Sequence, residues 1–185
     1  MKKLIFFFVI TCGIVFTGFR VNDGLLVPES KLDKAISKLW KDKPISLNEL
    51  PQEKINICQK AASVFTIFSG NDSLGYVIVN RVNSCRAGGC NIDHDDEAIS
   101  FEYFDYFVIT DKNLQVLKVS IYNYQATQGQ EVMSNGWLSQ FVGFSGQEKL
   151  VYGKDIQAIS GATISANAMN DDIYFTLDCI KTHLH

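Results

Sequence analysis

The chain has 185 residues, 46 % of them apolar, which is enough for one domain with a sizeable core. Its formal charge of −3 and pI near 5.6 argue against a nucleic-acid surface. Aromatic residues make up 12 %, most of them Phe, and composition alone does not separate a thick core from a planar ligand site.

The N-terminus reads as an export element. Met1-Lys2-Lys3 is a basic start, and Leu4 to Phe16 is an almost unbroken apolar run. That run is shorter than the roughly 20 residues of a membrane span and fits the apolar core of a signal peptide. Val15-Phe16-Thr17-Gly18 offers a weak small-residue cleavage site, and an uncleaved anchor over 1–18 is the rival reading. Cys12 follows Val9-Ile10-Thr11, which lacks the small residues expected before a lipidated cysteine. Either reading places the body of the protein outside the cytoplasm. Four cysteines remain, Cys58, Cys85, Cys90 and Cys179, and an oxidising compartment predicts two disulfides among three possible pairings. Cys85 and Cys90 bracket the flexible Arg86-Ala87-Gly88-Gly89, which favours Cys85–Cys90 and leaves Cys58–Cys179.

Residues 19–30 read as a linker, followed by a single domain over 31–185. Leu32, Ala35, Ile36, Leu39 and Trp40 recur at helical spacing and predict an amphipathic helix over 30–41. Pro44 and Pro51 punctuate the next stretch, and a short helix is expected over 53–62. Val64 to Phe68 and Gly75 to Val82 are apolar and rich in β-branched residues, a hairpin about Ser69-Gly70-Asn71-Asp72-Ser73. An acidic patch surrounds His94-Asp95-Asp96-Glu97. A second hairpin, Phe101 to Thr110 and Leu114 to Tyr124, turns at Asp111-Lys112-Asn113. Trp137, Leu138, Phe141 and Val142 predict a short helix.

The last helix carries the clearest periodicity. Ala162, Ala166, Met169, Ile173, Leu177 and Ile180 form one stripe with steps of three and four residues. Ser160 stands where an N-cap is expected, and Thr163, Asn167, Asn170 and Tyr174 form a neighbouring, more polar face. Thr163 is therefore expected to flank the core at the helix mouth. The predicted fold class is α+β: an antiparallel sheet of two hairpins against an N-terminal amphipathic helix and a long C-terminal helix.

Ser160-Gly161-Ala162-Thr163-Ile164-Ser165 is the chemical centre of the sequence. A helix N-terminus presents unpaired N–H groups and a favourable dipole, so a hydroxyl on a glycine-loosened turn there suits a phosphate. By itself, Ser-Gly-Ala-Thr also makes a good helix start, with Ser as cap and Gly as hinge.

With the export signal, the strand-rich body and the Trp/Phe element, these residues resemble the FMN-binding domain family. That family includes the small flavinylated subunits of the sodium-pumping NADH:quinone oxidoreductase and of the ferredoxin-linked Rnf complex. The resemblance covers roughly residues 60–182. It implies that a flavin transferase moves FMN from FAD onto Thr163 as a phosphoester, with Ser160, Gly161, Ala162, Ser165 and Asn167 around it. The family's Glu-Thr-Pro-Gly segment, followed by Trp and Phe, corresponds to Ala126-Thr127-Gln128-Gly129, Trp137 and Phe141. Thr127 and Gly129 join the cofactor-binding set on that basis, with Trp137, Phe141 and Tyr124 as aromatic surfaces for the isoalloxazine ring. Two positions depart from the pattern: Gln157 stands where an acid is usual, and Ala126 and Gln128 replace Glu and Pro.

The expected function is electron transfer between a membrane-bound or quinone-linked donor and another redox partner, without substrate turnover. An extracytoplasmic flavin-dependent reductase is a second class, although the chain has no Gly-x-Gly-x-x-Gly nicotinamide fingerprint and no evident acid/base pair. A degenerate member acting as a binding module is a third. A metal on Cys85, Cys90 and His94 would need unusually loose spacing, and a redox-active disulfide there is the last option. His183 and His185 read as solvated tail residues.

Overall fold

The computed structural model describes residues 27–55, 58, 63–86 and 101–183. Helix α1 (Glu29–Leu39) precedes strand β1 (Ser46–Glu49) and the one-turn helix α2 (Gln52–Ile55). Four strands follow, β2 (Ser63–Ser69), β3 (Asp72–Arg86), β4 (Phe101–Asp111) and β5 (Val116–Tyr124), then the short helix α3 (Asn135–Leu138) and the long helix α4 (Thr163–His183). The fold is α+β, as expected, with one antiparallel sheet in the order β1-β2-β3-β4-β5.

Both predicted hairpins form, and the sheet adds an edge strand that the sequence hid. β1 reads Ser-Leu-Asn-Glu, without apolar alternation, and becomes a strand by pairing Ser46 to Glu49 with Phe68 to Phe65. Sheet pairing, not local propensity, decides it. Of the linker expected over 19–30, residues 19–26 lie outside the described residues, while Val27 is buried and α1 begins at Glu29. The helix expected over 53–62 is described only as its first turn, Gln52–Ile55.

Alternation along the strands feeds two cores. Val64, Ile78, Val82, Phe104, Tyr106 and Val108 face α4, while Phe65, Ile67, Val77, Val79, Phe107 and Ile109 face α1. A bulge in β5 lets Tyr122 and Tyr124 serve opposite faces: Tyr122 stacks on Phe107 and Tyr124 on Phe104. The predicted α4 stripe is the seam, with Ala162, Ala166, Met169, Ile173, Leu177 and Ile180 all at most 2 % exposed.

A polar lock sets the position of α4 on the sheet. Asn80 donates to Asp172 Oδ2 at 3.0 Å and to Thr176 Oγ1 at 2.9 Å, and Tyr106 donates its hydroxyl to Asp172 Oδ2 at 2.7 Å. Burial, and then the adjacent carboxylate, push the Tyr106 phenol well above its ordinary pKa, so it stays a donor. Asn170, expected on the polar face, is instead buried and donates to the Leu150 carbonyl at 2.8 Å. A disulfide joins Cys58 to Cys179 with their Cα atoms 5.6 Å apart, tying the segment before β2 to the far half of α4. The Cys85–Cys90 pairing falls outside the described residues, as does residues 1–18; among the described residues no helix is long and apolar enough to cross a membrane.

Candidate functional site at the mouth of α4

The N-terminus of α4 is an open turn on a fixed base. The Ala162 carbonyl accepts from the Ala166 N–H at 2.9 Å, so Ala162 holds the cap position and α4 starts at Thr163. Ser160, expected as the cap, lies two residues earlier and is exposed. The reason is Gly161, whose φ of +82° reverses the chain between them. A Cβ there would meet nothing within 4 Å, so the turn needs the left-handed backbone and not the space.

Thr163 and Ile164 are exposed, Ala162 and Ser165 buried, and Asn167 donates to the Thr163 carbonyl at 2.9 Å. No acidic residue occupies the first turn, so nothing on α4 itself offsets the positive end of its dipole. A phosphate on Thr163 would meet first-turn N–H groups without a competing carboxylate from that turn. In those terms the residues present fit FMN.

The segment leading into this turn is clamped. Trp137 donates Nε1–H to the Gln157 carbonyl at 2.9 Å, and the Gln157 N–H donates to Gln140 Oε1 at 2.8 Å. Two residues on, the Ile159 N–H donates to the Tyr152 hydroxyl at 2.7 Å. Trp137 and Phe141 pack edge to face, centroids 5.3 Å apart, and are 4 % and 0 % exposed. Their rings therefore belong to the core, and what Trp137 offers the site is its N–H. Gln157 is held by its backbone while its residue stays exposed, so the departure from an acid leaves the path of the chain intact.

The second sequence segment reaches the same helix turn through hydroxyls. Tyr124 donates to the Gln128 carbonyl at 2.6 Å and lies 3.1 Å from Ser165 Oγ, which is 2.7 Å from Ser84 Oγ. Gly129, at φ +84°, packs so closely that a Cβ would come within 2.7 Å of Ser165 Oγ. Thr127 donates from its N–H and its Oγ1 to the two carboxylate oxygens of Glu102, at 3.0 and 2.8 Å. Tyr124, Gly129 and Ser165 thus converge, Thr127 is tethered beside them, and Trp137 and Phe141 act through Gln157.

Glu102, Ser84, Gln140 and Tyr152 were not legible as site residues. Each acts across a gap of 7 to 81 positions, and nothing in the local pattern marks them. Among the described residues no group of three or more His, Cys, Asp or Glu side chains is arranged to hold a metal; Cys90 and His94 lie outside them.

Comparison with known families gives one finding. Residues 104–178 match the model of the FMN-binding domain, a span that runs from β4 through the first four turns of α4 and includes both segments. A search of curated proteins found no match.

Proposed function

Residues 104–178 belong to the FMN-binding domain family, which makes the chain a flavin-binding protein, and on that premise we propose that it is an exported electron carrier bearing FMN on Thr163 as a phosphoester. The observation that carries the proposal is an exposed threonine opening a 21-residue helix whose first turn holds no acid. When bound, FMN supplies reversible acceptance and release of one or two electrons.

The chain's own residues do the rest. Thr163 is the acceptor hydroxyl, and since threonine is a poor nucleophile at neutral pH, a flavin transferase must bring the activating base or metal. Gly161 gives that hydroxyl access, and the first-turn N–H groups and dipole favour the phosphate by about 1 kcal/mol. Tyr124, Ser165, Ser84 and the Trp137–Gln157 clamp keep the mouth rigid, so that little reorganisation accompanies a change of charge.

Export is the natural setting for a covalent bond. Free FMN would be scarce outside the cytoplasm, and a dissociable cofactor would be lost once its concentration fell below its dissociation constant. The basic, apolar N-terminus and the Cys58–Cys179 disulfide support that location. The electron donor is then a membrane-bound or quinone-linked complex.

The test is protein made with a flavin transferase. Flavin fluorescence should stay with the denatured chain, vanish in Thr163→Ala, and be bleached by dithionite but not by NADH alone. Rapid bleaching by NADH would make the protein a reductase, and colourless protein would make it a degenerate module.

A further inference from the structure

A cleft of about 320 Å³ lies between α1 and β5, and its charges are of one sign. Lys31, Lys34 and Lys38 project into it from α1, and Lys118 reaches it from β5. The three helix lysines are spaced by three and four residues, so they share a face and repel one another. Among the described residues no carboxylate lines the cleft; the acidic Asp33 of α1 faces other grooves. Among the described residues, none of the four lysines makes a salt bridge, and Lys118 has only a 3.4 Å hydrogen bond to Asn135 Oδ1. The floor is apolar, formed by Ala35, Phe107 and Leu39, the last of which is 36 % exposed.

Four uncompensated cations around an apolar floor, on a chain of net charge −3, form a site for an anion with an apolar body. Its place in the fold narrows the occupant. Asn135 lines the cleft and opens α3, and Trp137 of that same turn holds Gln157, three residues before Ser160. The cleft opens on the α1 face of the sheet, opposite α4, so an occupant would touch the short helix that holds the loop before Ser160 and not that loop itself. We propose that this cleft is the docking site for a protein redox partner, which inserts an acidic segment carrying one apolar side chain. The identity of the partner rests on the electron-carrier reading above, whereas binding of the acidic segment does not require flavin. The lysines steer the encounter, the apolar floor fixes register, and α3 joins the docking face to the segment that leads into α4.

The probe is a fluorescein-labelled peptide of four glutamates flanking one phenylalanine, followed by anisotropy at low salt. Three chains are compared: wild type, Lys34→Glu/Lys118→Glu, and the equally charged Lys54→Glu/Lys154→Glu, whose positions lie outside the cleft. Melting curves confirm that all three are folded. The cleft variant should bind about tenfold or more weakly and the control within about twofold, with binding falling as salt rises. Thr163→Ala should bind like wild type, so a failure of the flavin reading would not be mistaken for a failure of this one. Equal loss in both charge variants, or no binding by wild type, would overturn the proposal. So would cleft lysines that are needed for vesicles of anionic phospholipid but not for the peptide, since the surface would then be a membrane contact.

Discussion

Gly129→Ala is expected to destabilise the folded chain by about 2–4 kcal/mol, from left-handed backbone strain and displaced buried hydroxyls. The backbone at Gly129 has φ +84°, and an added Cβ would come within 2.7 Å of Ser165 Oγ and 3.0 Å of the Tyr124 hydroxyl. Neither neighbour can simply yield. Ser165 is 2 % exposed and bound to Ser84, and Tyr124 is stacked on Phe104 and bonded to the Gln128 carbonyl. The loop would be pushed off the first turn of α4, loosening the mouth where Thr163 sits. Gly161→Ala is the matched comparison, with φ +82° but nothing within 4 Å of its Cβ. It should cost only the strain, about 1–2 kcal/mol. Urea melts of the flavin-free chains separate the two terms, and equal losses would show that the contact with Ser165 and Tyr124 is not tight.

Removal of the Cys58–Cys179 disulfide should be costlier still. The bond closes a loop over a sequence separation of 121, for which the chain-entropy account gives about 5 kcal/mol as an upper figure. Against a typical total of roughly 5–15 kcal/mol, that is a third or more of the stability. Cys58→Ser/Cys179→Ser and reduced wild type should melt together, well below the oxidised chain. A reduced wild type that melts with the oxidised one would show that packing along the Ala166–Ile180 stripe suffices to hold α4.

Elements whose burial is periodic were legible in the sequence, and contacts between distant segments were not. The α4 stripe, both hairpins and α1 follow from apolar spacing, because each buries one continuous face. The position of Thr163 beside the core followed from the same stripe, and it is exposed at the helix mouth. β1 is hidden in the sequence because an edge strand with one half-buried residue has no alternation to display. The cap falls at Ala162 and not at Ser160 because Gly161 reverses the backbone before the helix begins. Burial of Asn170 has no local signal because its partner, the Leu150 carbonyl, lies on a loop 20 residues away.

The aromatic pair shows the same division most clearly. The family resemblance makes Trp137 and Phe141 surfaces for a flavin ring, whereas the structure packs them in the core. Their link to the site is a single N–H bond to the Gln157 carbonyl, which sequence spacing does not encode. The absent acids can be read similarly. Ala126 carries no carboxylate, yet Glu102 brings one to the adjoining Thr127 from the neighbouring strand.

Peptide mapping by mass spectrometry of protein matured with a flavin transferase would locate the flavin on the chain. Ser160, Thr163 and Ser165 lie within six residues: Ser165 is 2 % exposed and engaged with Ser84 and Tyr124, while Ser160 and Thr163 are both exposed and only Thr163 opens the helix, beyond the Gly161 turn. A gain of one FMN less one water is expected, localised by fragmentation to Thr163. An unmodified segment, or the same gain located on Ser160, Ser165 or Thr127, would contradict it.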